Sequence, residues 1–285
     1  MLTMLTRRKA LKLASLLVPG NALELLEPLR ESERASVTPE SMPVSDQFPA
    51  HPPELVREMV TVSHFDLKRV KELCEARPAL ARAGWDWGFG DWETPLGAAS
   101  HMGNRAIGEY LISRGARPSL FSAAMLGQLD VVKAFVAAQA GVQKIRGPHS
   151  ISLLAHARMG GEAARPVMEF LQRLDGADSE APATLADAET AAFVGTYGFG
   201  MGVAQQIEVS LADKKMYPSN KMYTYAPQLH WTRTGTMTRP LFHLGGNTFC
   251  PAGAPDVRIH FAEEAEGVLM TVNDGEFAMT ARKKR

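Results

Sequence analysis

The chain has 285 residues, 45% of them hydrophobic, and its 31 Lys+Arg balance 31 Asp+Glu, leaving no net charge. That length accommodates two domains with substantial cores. The zero balance argues against a nucleic-acid-binding protein, which carries a basic excess or stripe. No run reaches the roughly 20 apolar residues of a membrane span. The two cysteines, Cys74 and Cys250, fall in different proposed domains. A bridge between them is one reading, and a pair of free buried thiols is the preferred one.

At the start of the chain, Thr6-Arg7-Arg8-Lys9-Ala10-Leu11-Lys12 is followed by a short apolar stretch from Leu11 to Val18 and then by Gly20-Asn21-Ala22. Basic start, apolar middle and small-residue end form the pattern of a targeting segment. It resembles the twin-arginine export signal of bacteria, with Arg7 and Arg8 as the pair and alanine where that motif prefers phenylalanine. The resemblance implies residues 1–22 as a signal and an exported chain. That chain is periplasmic, or membrane-tethered if the segment is not cleaved. The alternative is an ordinary amphipathic helix continued by Leu23, Leu25, Leu26 and Leu29, in a cytoplasmic protein. Residues 23–53, rich in Ser, Pro and Glu from Ser32 onward, read as a tether, because they cannot bury enough apolar surface to offset their ordering entropy.

Asp91 to Pro118 carries the clearest architectural pattern. Thr94 can cap a helix and Pro95 suits its first position. Ala98, Ala99 and Ser100 let a short helix approach a neighbour closely, and Gly103 can take the left-handed conformation that ends it. Ile107, Leu111 and Ile112 then form an apolar stripe that Gly115 stops. Leu120–Gly127 and Leu153–Gly160 repeat the short-helix unit, and Asp66–Leu73 is an earlier half-copy. This layout resembles a divergent ankyrin array over residues 54–174. Such pairs need neighbours to bury both faces. The offset from Leu96 to Leu120 is shorter than that from Leu120 to Leu153, which predicts a missing finger loop between the first two copies.

Ahead of the first full copy lies Gly84-Trp85-Asp86-Trp87-Gly88-Phe89-Gly90-Asp91-Trp92-Glu93, where an ankyrin array projects a finger. Clustered aromatics on a loop suggest a recognition patch. Trp85, Trp87, Phe89, His101 and Met102 are the candidate partner contacts, with Asp86 and Glu93 expected at the rim to steer orientation. The competing expectation is that the rings fold back over the first helices, with Trp92 the foremost candidate for that. His101, His149 and His156 suggest metal ligands, but no HExxH, CxxC or His-x3-His spacing is present, so hydrogen-bonded structural roles are expected and no metal or other cofactor.

Residues 175–187 read as a small, acidic linker, after which helical periodicity gives way to alternation. Val203–Leu211, Lys221–Ala226, Leu229–Arg233, Val257–Phe261, Val268–Val272 and Phe277–Ala281 suit strands, and Asn273-Asp274-Gly275 suits a tight hairpin. Phe193–Phe199, with Phe249–Phe261, resembles small lipocalin-like β-domains appended to exported hydrolases. Residues 188–285 are therefore expected to form an antiparallel barrel. Tyr217, Tyr223, Tyr225, His230 and Trp231 either line a ligand cavity in it or pack its core. Ser-x-x-Lys, G-x-S-x-G, P-loop and Rossmann patterns are all missing.

The expected protein is thus α + β and two-domain, an ankyrin-type helical solenoid followed by a small barrel. Its expected function is non-catalytic protein–protein interaction through the finger loop and concave face. Small-ligand binding by the barrel is the first alternative. A hydrolase with an unrecognised site, for example around His230, His243 and His260, is the second.

Overall fold

Short capped helices alternate with longer amphipathic ones along the first half of the chain. The structure is a computed structural model that describes residues 47–177, 190–212 and 228–284. Its helices are α1 (Pro53–Val62), α2 (Leu67–Ala76), α3 (Pro95–His101), α4 (Arg105–Ser113), α5 (Leu120–Met125), α6 (Leu129–Ala138), α7 (Leu153–Met159) and α8 (Arg165–Gln172). The signal and most of the tether lie outside the described residues, as do residues 178–189 of the linker.

Hydroxyl caps set where the short helices begin. Thr94, Ser119 and Ser152 accept backbone N–H bonds from Gly97, Ser122 and Ala155, satisfying donors that a helix start leaves orphaned. The short helices form an inner layer with α1, and α2, α4, α6 and α8 lie behind them. Small side chains make this approach possible: Ala98, Ala99 and Ser100 have no exposed surface. One helical core centres on Met59, Leu73, Leu96 and Leu111, and the next on Leu120, Leu153, Leu154 and Leu171. The connection from α4 to α5 contains no hairpin, as the short offset predicts. The connection from α6 to α7 is longer and holds two 3-10 turns, Val142–Lys144 and Pro148–Ser150.

Between α2 and α3 runs a two-stranded hairpin, β1 (Trp85–Asp86) and β2 (Trp92–Glu93), in antiparallel register. The second half of the chain closes into an eight-stranded antiparallel barrel. Its strands are β3 (Gly195–Gly198), β4 (Gln206–Ala212), β5 (Gln228–Arg233), β6 (Arg239–Gly245), β7 (Thr248–Pro251), β8 (Arg258–Glu264), β9 (Gly267–Asp274) and β10 (Phe277–Lys283). β10 pairs with β3 to close it, so no edge is left open. The expected α + β combination of a helical region and a barrel is therefore present.

An eight-stranded barrel is just wide enough for side chains to fill. Alternation supplies them here: Tyr197, Ile207, Leu229, Phe249, Phe261 and Val272 all belong to one buried cluster. Phe193 stacks on Phe261 with centroids 4.6 Å apart, and Tyr197 donates its hydroxyl to the Phe193 carbonyl at 2.8 Å. Among the suggested cavity residues, His230 is buried while Trp231 packs against the cluster from its edge. Tyr217, Tyr223, Tyr225 and the expected strand Lys221–Ala226 lie outside the described residues. The strand expected from Val203 begins at Gln206, after a 3-10 turn. Phe249–Ala254, expected to fit the later strands, carries the end of β7, whereas β6 was not among the expected strands; the register of the β6–β7 pair shifts between His243 and Gly245. Cys74 and Cys250 are both free and buried.

Gly127, just after α5, shows how tightly the helical layers meet. Its φ is +76°, and a Cβ there would collide with the Ala163 carbonyl in the turn before α8. Gly127→Ala is expected to cost about 2–4 kcal/mol from left-handed strain plus overpacking. Denaturant unfolding of the full chain measures it.

Candidate metal centre

Asp91, Trp92 and Glu93 are consecutive, and strand geometry sends alternate side chains to opposite faces. Trp92 faces out at 63% exposure, while Asp91 and Glu93 turn inward at 4% and 1%. The hairpin is shaped for this by Asp86, whose Oδ1 accepts the Gly88 N–H at 2.8 Å, and by backbone bonds from Trp87 N–H to the Asp91 carbonyl and from Asp91 N–H to the Gly88 carbonyl. Two carboxylates are thereby driven into the protein, and each needs compensating donors.

Glu93 finds three histidines. His101 Nε2 lies 2.9 Å from Glu93 Oε1, and His149 Nε2 and His64 Nε2 lie 3.4 and 3.6 Å from Oε2. His64 and His101 also bring their Nε2 atoms within 3.1 Å of each other. Trp87 donates its indole N–H to Glu93 Oε2 at 2.8 Å. One donor atom from each of His64, Glu93, His101 and His149 falls within 4.8 Å of the others. Donors around a tetrahedral zinc ion, with bonds near 2.0–2.1 Å, stand about 3.3 Å apart, so the set is close to ligating geometry.

Two of the three rings are held from behind. His64 Nδ1 faces the Val60 and Thr61 carbonyls at 3.1 and 3.0 Å. His149 Nδ1 faces Asp91 Oδ2 at 2.8 Å. Carbonyl and carboxylate oxygens only accept, so both Nδ1 atoms carry protons and both Nε2 atoms turn to the centre. Metal-bound histidines are anchored by the same kind of outer hydrogen bond. The Asn104 side chain donates to the His64 carbonyl, tying the α1–α2 turn to the α3–α4 turn.

Electrostatics follow from burial and from these contacts. Burial alone would raise Glu93, but hydrogen bonds from His101 and His149 hold its carboxyl well below the usual range. Asp91 is lowered in the same way: burial opposes the shift, and His149 and Arg239 overcome it. Burial works against His149 too, yet bonds to Asp91 and Glu93 push it up to about 9. His64 is lowered, mainly by burial. His156, fully buried with Nδ1 on the Ser152 carbonyl at 2.9 Å, is pushed down to about 3 by burial.

Placement changes the meaning of the sequence-derived site. Glu93 is buried at the centre and is not a rim residue, because it points to the same inward side as Asp91, two residues before it. Burial likewise places His101 inside the cluster and takes it off the concave surface. Trp87 is a half-buried donor to the cluster, and Phe89 stacks on Trp231 of the barrel at 5.7 Å. Trp85, Asp86 and Met102 are half-buried and contribute no donor atom. Trp92 stays out in solvent, although it was the ring most expected to fold back. His64 was missed altogether, and His149 was considered and set aside. Their separation along the chain hides both, since no local ligand spacing links residues 64, 93, 101 and 149. His243 and His260 are engaged elsewhere, with the Gly246 carbonyl and with Thr248.

No protein-family model matches the chain, and comparison with curated proteins finds no match.

The charges predict a stability maximum for the metal-free chain. His149, raised from 6.5 to about 9, stabilises fully below pH 6.5 and loses that contribution as pH rises through 9. His64 and His156, lowered from 6.5, cost stability as pH falls below 6.5, and the lowered Glu93 and Asp91 add losses below about pH 4.5. Unfolding free energy measured in a strong chelator should peak near pH 6.5. It should fall by about 3 kcal/mol on the alkaline side, and His149→Gln should flatten that arm.

Proposed function

We propose that the chain is a non-catalytic binding protein built on ankyrin-type helix pairs. Its ligand is a divalent metal ion of the zinc class, held by His64, Glu93, His101 and His149. One observation carries this reading: four donors from four separate segments converge within 4.8 Å, two of them buried and two half-buried.

Donor chemistry selects the ion. Three imidazoles and one carboxylate suit zinc and its first-row neighbours, whereas calcium and magnesium want oxygen shells and copper(I) wants thiolates. Four protein donors fill a tetrahedral sphere, which is the mark of a structural site; catalytic zinc keeps a position open for water or substrate. A bound ion would fasten the hairpin to α3, to the end of α1 and to the turn before α7. That is a structural role suited to a scaffold that holds its inner surface rigid.

Chelator-stripped chain titrated with zinc should take up one ion per chain with submicromolar affinity. His64→Ala and His149→Ala should each weaken binding by more than about 100-fold, beyond the loss typical of an outer-sphere partner. Zinc at 100 times its dissociation constant should stabilise the wild type by about 2.7 kcal/mol. Wild-type uptake no greater than that of the His64→Ala/His149→Ala double variant would leave the cluster as an ion-pair network and overturn the proposal.

A further inference from the structure

A guanidinium from the barrel reaches the back of this cluster. Arg239, the first residue of β6, is 3% exposed. Its Nη1 bonds Asp91 Oδ2 at 2.9 Å and the Ala252 carbonyl, and its Nη2 bonds the Gly88 carbonyl at 3.2 Å. Asp91 in turn accepts from both the backbone N–H and the Nδ1 of His149, at 2.9 and 2.8 Å. A single carboxylate therefore joins a barrel cation to an imidazole of the centre.

The surrounding backbone is shaped to this junction. Gly253 has φ +81°, and a Cβ there would occupy the space of the Asp91 carboxylate. Gly253 also donates its N–H to Ser150 Oγ at 2.7 Å. Among the described residues, the non-glycine positions with positive φ are Phe89, His149 and Ser150, at 57°, 58° and 62°. Phe89 lies on Trp231, Ser150 is bonded to Gly253, and His149 is bonded to Asp91. Left-handed backbone at non-glycine residues costs free energy and persists where surrounding contacts impose it. Two of these contacts, Phe89 on Trp231 and Ser150 with Gly253, join the barrel to the helical region, and the third, His149 with Asp91, lies beside them.

We infer that Arg239 is a positioning residue of the metal centre: it fixes Asp91, and Asp91 fixes the His149 imidazole with Nε2 turned inward. Metal affinity and the docking of the barrel on the hairpin are consequently coupled. This rests on the zinc reading above. Without Arg239, Asp91 is a buried carboxylate short of its cation and is free to reorient, which loosens the one ligand it holds. Linkage makes the effect reciprocal, so a bound ion tightens the seam between hairpin and barrel.

The test uses the full chain as wild type, Arg239→Gln and Arg239→Lys, loaded with zinc for affinity and with cobalt(II) for its visible spectrum. Arg239→Gln should bind zinc 10- to 100-fold more weakly and show a shifted cobalt spectrum. Arg239→Lys, which keeps the charge but not the fork of contacts, should fall between it and wild type. In wild type, zinc should slow amide exchange in Trp85–Glu93 and in Arg239–Ala252, and in Arg239→Gln that slowing should be lost. A folded Arg239→Gln chain with affinity within twofold of wild type and an unchanged cobalt spectrum would overturn the coupling alone. If Arg239→Gln does not fold, the same equality in Arg239→Lys overturns it. A wild type that binds no zinc would overturn both this inference and the reading beneath it.

Discussion

Two buried carboxylates two residues apart, Asp91 just before β2 and Glu93 on it, set the terms for the surrounding structure. Removing an ion from water costs several kcal/mol even after relaxation, and it is tolerated only where cations and hydrogen bonds take the place of solvent. Asp91 and Glu93 meet that requirement with side chains from the α1–α2 turn, from α3, from the turn before α7 and from β6. No two of those partners are neighbours in the chain. Burial of a short acidic strand thus forces long-range assembly of segments that would otherwise have only apolar packing in common.

The hairpin is therefore an internal keystone. One end of it is fixed by the Asp91–Arg239 pair and by Phe89 on Trp231, the other by Glu93 among its histidines. The capped inner helices hold His101 at a defined height, because Thr94 starts α3 and His101 ends it. Asn104 and the α1 carbonyls orient His64, and the left-handed turn at His149 and Ser150 presents the last ring. Small shifts at any of these points alter the distances between charges in a medium where electrostatic interactions are strong.

Much of the architecture was readable because its signals are local. Thr94, Pro95 and Gly103 specify a short helix within ten residues, and the alternation from Val257 onward specifies strands ending in the Asn273-Asp274-Gly275 turn. The centre was not readable in the same way, since its ligands come from four segments and obey no ligand spacing. One clue was present. In Asp91-Trp92-Glu93, alternation puts both acids on one face and the tryptophan on the other, which in a hairpin against a helical layer means either two acids buried or one tryptophan buried. The loop is not a free recognition patch in one further respect, because Phe89 is stacked on Trp231 of the barrel. β6, and with it the cation at its start, was hidden because its burial does not alternate, Leu241 and Phe242 both being buried.

Anomalous diffraction at the zinc edge, from crystals of the zinc-loaded full chain, bears most directly on the metal centre. The account predicts one strong peak enclosed by His64 Nε2, the Glu93 carboxylate, His101 Nε2 and His149 Nε2, about 2 Å from each donor atom. Zinc found only elsewhere, with His149 still bonded to Glu93 across an undisturbed ion-pair network, would contradict it.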